Sequence, residues 1–294
     1  MSTLGMVQLL YASLALVMGG LGLSLRPQDF RALRYHGRSV AVALVVQMAL
    51  MPLIALGLIS LFHLSGLVAV GILLLAATPG SISANLFSHL FGGNVAFNIA
   101  LTGLNTFLCA LTLPLIGTWA LGHFAGESRL VPILLDNALR TVGLVVVPVI
   151  LGMAIAWKAP RVAAQVNKPV KILSAAVVIV FSVAAIAKEW VALAAGFGDI
   201  GAAILSFNLA SVAVSYGLAR ASGVAQRETI TITFQVSVHN AIQAIYVALA
   251  VLNEPLAALP AAVYSISMNL FALAFGLLFA RGRARRELGS PLLG

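Results

Sequence analysis

From residue 4 to residue 280 this chain is a succession of apolar stretches, most of them about membrane length, with hardly a charge inside them. That pattern restricts the fold more than any motif does. A bilayer core about 30 Å thick takes about 20 helical residues to cross. Lipid offers no partner to a backbone N–H or C=O, so each stretch has to close its own hydrogen bonds as a helix. We read about nine spans, near 4–25, 39–62, 66–91, 94–123, 131–157, 171–190, 198–220, 229–252 and 258–280. With 294 residues, 61% hydrophobic and only 9% charged, little chain remains for a soluble domain. The whole of 1–294 reads as one all-α, polytopic membrane domain.

The connections sort by charge. Arg26, Arg31, Arg34 and Arg38 follow the first span, Lys158, Arg161, Lys168 and Lys171 the fifth, Arg220 and Arg227 the seventh, and Arg281, Arg283, Arg285 and Arg286 the ninth. Most of the 17 Lys and Arg residues thus fall on one side. By the positive-inside rule that side is cytoplasmic, which puts the N-terminus outside and the C-terminus inside a cell (inner) membrane. The net charge of +9 therefore marks orientation and calls for no nucleic acid. The first stretch reads as a span and not as a cleaved leader, because its basic residues follow it. Cys109, the single cysteine, excludes an internal disulfide and a cysteine metal cluster. No feature specifies an oligomeric state.

Two spans carry the wrong residues for lipid. The third is interrupted at Thr78-Pro79-Gly80-Ser81-Ile82-Ser83-Ala84-Asn85. Pro79 lacks an amide hydrogen, Gly80 removes the side chain that would hold helical geometry, and Ser81 to Asn85 can cap a new half-helix. The eighth carries Thr229, Thr231, Thr233, Gln235, Ser237 and His239 at every second position, then Asn240 and Gln243. Steps of two turn a helix by about 200°, so no clean lipid face is left and the segment has to be enclosed. With the orientation above, spans one to four and six to nine run in opposite senses, and the broken third answers to the polar eighth. Inverted repeats with interrupted helices at the midplane are a plan of secondary transporters.

The residues Met18-Gly19-Gly20-Leu21-Gly22-Leu23-Ser24-Leu25-Arg26-Pro27-Gln28-Asp29-Phe30, Gln47 to Pro52, Thr78 to Asn85, Gly93-Asn94-Val95-Ala96 and Gln235 to Asn240 resemble, in that order, the bile acid:sodium symporter family. The resemblance implies a core of two crossing broken helices with their neighbours, here 39–124 and 198–280, and a panel, 1–25 and 131–190. Ten-helix members have a further helix at the start with no counterpart here. The implied activity is symport of a small organic anion with sodium by alternating access.

Carried over residue by residue, a first sodium site falls on Ala84, Asn85, Asn98, Thr102 and Gln235. A second falls on Gln47, Gln235, Val236, Val238 and His239, and substrate contacts fall on Ser83, Asn240 and Asn269. The departures are informative. Ala84 stands for a hydroxyl ligand, Asn98 for a serine, His239 for a glutamine, and Gln235 for the glutamate that both sites share. All eight acids lie in connections, in the tail or near span ends. Neutral oxygens can hold one hard cation, whereas a second would leave charge uncompensated. The expectation is coupling to at most one sodium, or else compensation of the charge by the anionic substrate, with no organic cofactor.

Two rivals share the same cavity: a proton-coupled carrier using His239, whose imidazole titrates near neutrality, and an uncoupled carrier or facilitator. An intramembrane enzyme is remote, since the sequence has no paired midplane acids, no His-Glu-x-x-His and no Gly-x-Ser-x-Gly.

Overall fold

The computed structural model describes residues 3–126, 138–195 and 197–289. Their regular structure is helical throughout. Helix α1 (Thr3–Leu23) is followed by α2 (Pro27–Leu33) and a 3-10 turn, Arg34–His36. The second span is continuous: α3 (Gly37–Leu44), a π-helical segment Val45–Leu50 and α4 (Met51–Leu61). Helices α5 (Gly66–Ala76) and α6 (Ile82–Leu90) are the halves of the third. Helix α7 (Val95–Ala120) ends in a π-helical turn, Leu121–Ala125. Then come α8 (Ala138–Lys158), α9 (Pro160–Lys188), the short α10 (Trp190–Ala195) and α11 (Phe197–Ala221). The eighth span is halved into α12 (Gln226–Ser237) and α13 (Ala241–Tyr246), which runs on as a π-helical turn Val247–Val251, and α14 (Pro255–Gly289) closes the chain.

Among the described residues, four continuous helical stretches, Pro27–Leu61, Val95–Ala125, Gly198–Ala221 and Pro255–Arg281, are long and apolar enough to cross a bilayer. Among the shorter apolar helices are Gly66–Ala76 and Ala241–Val251, each half of a broken span. Leu53, Leu111, Leu115, Leu209, Leu270 and Leu278 point outward and are exposed, as side chains facing hydrocarbon are. Trp119 and Trp157 lie toward helix ends, where an amphipathic indole meets the headgroup region.

Two packing groups position the site. Helix α1 packs along α8 and also touches α9. The α1–α8 approach depends on glycine: a Cβ on Gly22 would run into the backbone of Val149, and one on Gly152 into the backbone at Gly19 and Leu23. Small residues of this kind let membrane helices meet backbone to backbone. Helix α7 packs on α2, α5, α6 and α12, while α14 packs on α5, α9, α11 and α13. One expected connection differs. Residues 158–171 read as a basic loop, yet the helix restarts at Pro160 after a break at Ala159 and carries Arg161 and Lys168. Proline suits the first helical position, and long basic stems can lie along a helix while their charges reach water. The expected fifth span begins at 131, and its first residues, 131–137, lie outside the described ones.

Candidate functional site

The two interrupted spans meet at their breaks. Gly80 and His239 form an antiparallel bridge. Ser81 N–H donates to the Val238 carbonyl at 2.7 Å, and Asn240 N–H donates to the Pro79 carbonyl at 2.8 Å. Each break thus supplies partners for backbone groups that the other has set free, the condition for irregular backbone at membrane depth. The approach is close, because a Cβ on Gly80 would land on the Gln235 carbonyl and carboxamide. Ser81 also caps α6, its hydroxyl accepting from Ser83 N–H at 3.2 Å. The last carbonyls of α12 are served from outside, Ser237 O by the Tyr264 hydroxyl at 2.9 Å. The enclosure expected for the eighth span is complete: from Glu228 to Ala248 every residue is buried.

Thr78 is the node on the near side of the break. Its carbonyl accepts from Gln47 Nε2 at 2.9 Å and lies 3.3 Å from His239 Nδ1. Gln47 reaches it from the π-helical segment, where the widened turn precedes Pro52, a residue that cannot donate to the turn before it. The His239 ring stacks on Phe207 and meets Tyr264 edge-on, with centroids 5.5 Å away in both cases. Across the crossing, Thr102 Oγ1 lies 2.8 Å from Gln235 Oε1 and 2.8 Å from the carbonyl of Asn98 in its own helix.

Every residue of the expected cation sets is buried: Gln47, Asn85, Asn98, Thr102, Gln235, Val236, Val238 and His239. The structure joins Thr102 to Gln235, and Gln47 to His239 through Thr78. Gln47 Oε1, Asn85 Oδ1 and both side-chain polar atoms of Asn98 have no hydrogen-bond partner among the described residues. Of the substrate candidates, Asn240 is part of the backbone bridge, and Ser83 lies in the first turn of α6 with its hydroxyl 2.7 Å from that of Ser81. Asn269 is not drawn in, since its amide donates to Ser265 of its own helix at 3.0 Å. Asn105 and Gln243 are fully buried with both polar side-chain atoms unpartnered, and sequence reasoning assigned neither a role. Asn105 had a readable signal, the spacing that places it on one helix face with Asn98 and Thr102.

Among the described residues, no charged side chain takes part in this centre. Glu228, the one acid buried among the described residues, sits in the first turn of α12, about 10 Å along the axis from Gln235. It is engaged there by Asn94 Nδ2 at 3.0 Å and by His36 Nδ1 at 3.7 Å. No cluster of three His, Cys, Asp or Glu residues able to hold a metal occurs among the described residues. A cavity of about 460 Å³ opens nearby, between the ends of α1 and α8 and the starts of α2, α7 and α9. Leu23, Arg26, Asp29, Ile99, Ala163 and Asn167 are among its walls.

A family model described as the sodium bile acid symporter family matches residues 12–195. The chain belongs to that family. The match covers the first break and α7, and the resemblance noted at Gln235 to Asn240 lies beyond it. Among the relatives of this symporter-family chain is a probable chloroplastic sodium/metabolite cotransporter of Oryza sativa subsp. japonica. It is 24% identical over 258 residues, 88% of this chain and 62% of the rice protein. An uncharacterized sodium-dependent transporter of Bacillus subtilis (strain 168) is 35% identical over 103 residues, 35% of this chain and 32% of that one. The hepatic sodium/bile acid cotransporter of Rattus norvegicus is 29% identical over 155 residues, 52% of this chain and 42% of the rat protein. The matches span between about a third and two thirds of the length of these relatives. The family is one of symporters and not of enzymes.

Proposed function

We propose that this protein is a secondary active transporter that carries a small organic anion through an inner membrane by alternating access, coupled to one sodium ion. The observation that carries the reading is the backbone bridge between two broken helices, with neutral oxygens gathered around it. In this reading the sets 39–124 and 198–280 move against 1–25 and 131–190, the basic side is cytoplasmic, and the N-terminus is outside. The close α1–α8 packing suits a unit that moves as one piece.

The stoichiometry follows from which oxygens are engaged. In the second set, the Val238 carbonyl is taken by Ser81 N–H, and Gln47 Nε2 and His239 Nδ1 both turn toward the Thr78 carbonyl, so that Gln47 Oε1 is the one side-chain oxygen left free beside Gln235. In the first set, Asn85 Oδ1 and Asn98 Oδ1 stay free. The Thr102 hydroxyl has one proton for two acceptors, so its pairing is complete when it donates to Asn98 and accepts from the Gln235 carboxamide nitrogen. That orientation frees the Gln235 oxygen as well. Three amide oxygens and a hydroxyl suit one hard cation. Without a carboxylate, the charge of a second one would stand uncompensated in a dry site.

The anion is assigned to Ser83 and Asn240, with the amino end of α6 supplying partial positive charge. The cavity by Arg26 is its approach from the cytoplasm. The names of the relatives, which speak of metabolites, bile acids and organic anions, support this substrate class.

Uptake of labelled organic anions into proteoliposomes, with and without an inward sodium gradient, tests the reading. Sodium-driven accumulation with a Hill coefficient near one is expected, and a coefficient near two would sink single-ion coupling. Accumulation driven by a pH gradient in the absence of sodium would move coupling to the proton.

A further inference from the structure

Asn105 lies one helical turn beyond Thr102 on α7, is fully buried, and has neither Oδ1 nor Nδ2 bonded. Asn98, seven residues earlier, is in the same condition. Seven residues make nearly two full turns, so Asn98 and Asn105 share one face of α7, about 10 Å apart along its axis, with Thr102 between them. Thr102 is the residue that touches Gln235. Helix packing does not account for Asn105. A buried, unpaired carboxamide costs roughly 1–3 kcal/mol, and an asparagine on a membrane helix can avoid that by donating to its own helix. Asn208 does so to Ile204 O and Asn269 to Ser265 O. Asn105 does not.

We propose that Asn105 is a ligand of the transported cation, holding it on the far side of the Thr102–Gln235 contact as Asn98 holds it on the near side. A single ion then has two stations on α7, one nearer the basic ends of the helices and one beyond the crossing. Thr102 and Gln235 are common to both. The ligand class is a small, hard monovalent cation, because the station is built from carboxamide and hydroxyl oxygens with no thiol, imidazole or carboxylate. Spacing the two asparagines seven residues apart excludes both from one ion, so the stations are used in turn. This inference rests on the sodium-coupled reading above.

The test uses the full chain in detergent, with thermal unfolding followed as sodium chloride replaces choline chloride at constant ionic strength, for the wild type, N105L and N105D. A ligand that binds the folded state raises the unfolding temperature. N105L is expected to unfold at a higher temperature than the wild type in choline, because an unpaired carboxamide gives way to an apolar group of similar size, and to show a smaller sodium-induced rise, because only the Asn98 station remains. N105D is expected to lower the half-saturating sodium concentration by about tenfold, a ligand charge acting directly on the ion. A full sodium response in N105L, or an unchanged half-saturation in N105D, overturns the role of Asn105 and leaves single-ion coupling standing. Should N105L fail to fold, N105D decides alone. A wild type with no sodium response overturns the coupling reading and this inference with it.

Discussion

Replacing Gln235 by Glu returns a carboxylate to the middle of the crossing, where the side chain is fully buried and no basic residue faces it among the hydrogen bonds and ion pairs described. The charge would be uncompensated until a cation arrives. Q235E is therefore expected to unfold several degrees below the wild type in choline, to recover in sodium, and to show a half-saturating sodium concentration about tenfold lower. Sodium titration of uptake and of thermal unfolding checks both halves. His239 calls for the opposite outcome. Its ring meets a carbonyl and two aromatic faces, and a Gln amide can donate to that carbonyl equally well. H239Q is expected to keep uptake within about twofold, with a pH profile between 6 and 8 parallel to the wild type. A flattened profile would show that the imidazole carries the coupling proton. At this scale Gln235 and His239 stood out as candidates because polar groups in apolar spans demand a reason, and Gln47 came only with the family resemblance. Asn105 left a fainter signal, its spacing from Asn98 and Thr102 on one face of α7, and sequence alone does not show whether a polar group there bonds its own helix, as Thr102 and Thr106 do.

Among the elements, the crossing is the most sensitive join. Gly80→Val would drive a branched side chain into the Gln235 carbonyl and carboxamide. A loss of at least about 2 kcal/mol is expected from overpacking at a site that cannot yield, together with loss of transport, read as a lowered unfolding temperature and absent uptake. Gly152→Leu would part α1 from α8. It is expected to destabilise by a similar amount while leaving the sodium response of whatever fraction remains folded unchanged, since none of the candidate ligands lies on either helix. The first break was written in the chain as Pro79-Gly80. The second, at Val238 to Asn240, has neither Pro nor Gly and showed only through its polarity. That the two breaks pair by backbone could not be read at all, because main-chain partners so distant in sequence leave no mark in residue type. The start of α9 was missed for a related reason: its basic side chains resemble a loop, and only the helical backbone beneath them shows that they ride on a turn.

At the level of the whole molecule, the charge pattern supplies an expected orientation, because positive connections are a direct physical constraint on insertion. Sidedness can be checked by labelling. In a Cys109→Ala background, Ser65→Cys, at an exposed position on the charge-poor side, is expected to react with a membrane-impermeant maleimide on intact cells. Ala221→Cys, exposed on the basic side, is expected to react only after the membrane is opened. The reverse pattern would invert the proposed topology. The proposed grouping of helices into two moving units has no such signature, since which helix packs on which is decided by small contacts such as Gly22 against Val149. The bridge between the breaks also bears on how the chain is made. The Pro79 carbonyl waits for the Asn240 N–H, 161 residues downstream, and synthesis at 5–20 residues per second makes that an interval of about ten to thirty seconds. Until then the Ser81 N–H and the Pro79 carbonyl lack the partners that they have in the folded chain. A nascent chain stalled before α12 is thus a form that quality-control proteases should recognise, and the ribosome's passage through the second break is the step that rescues the first.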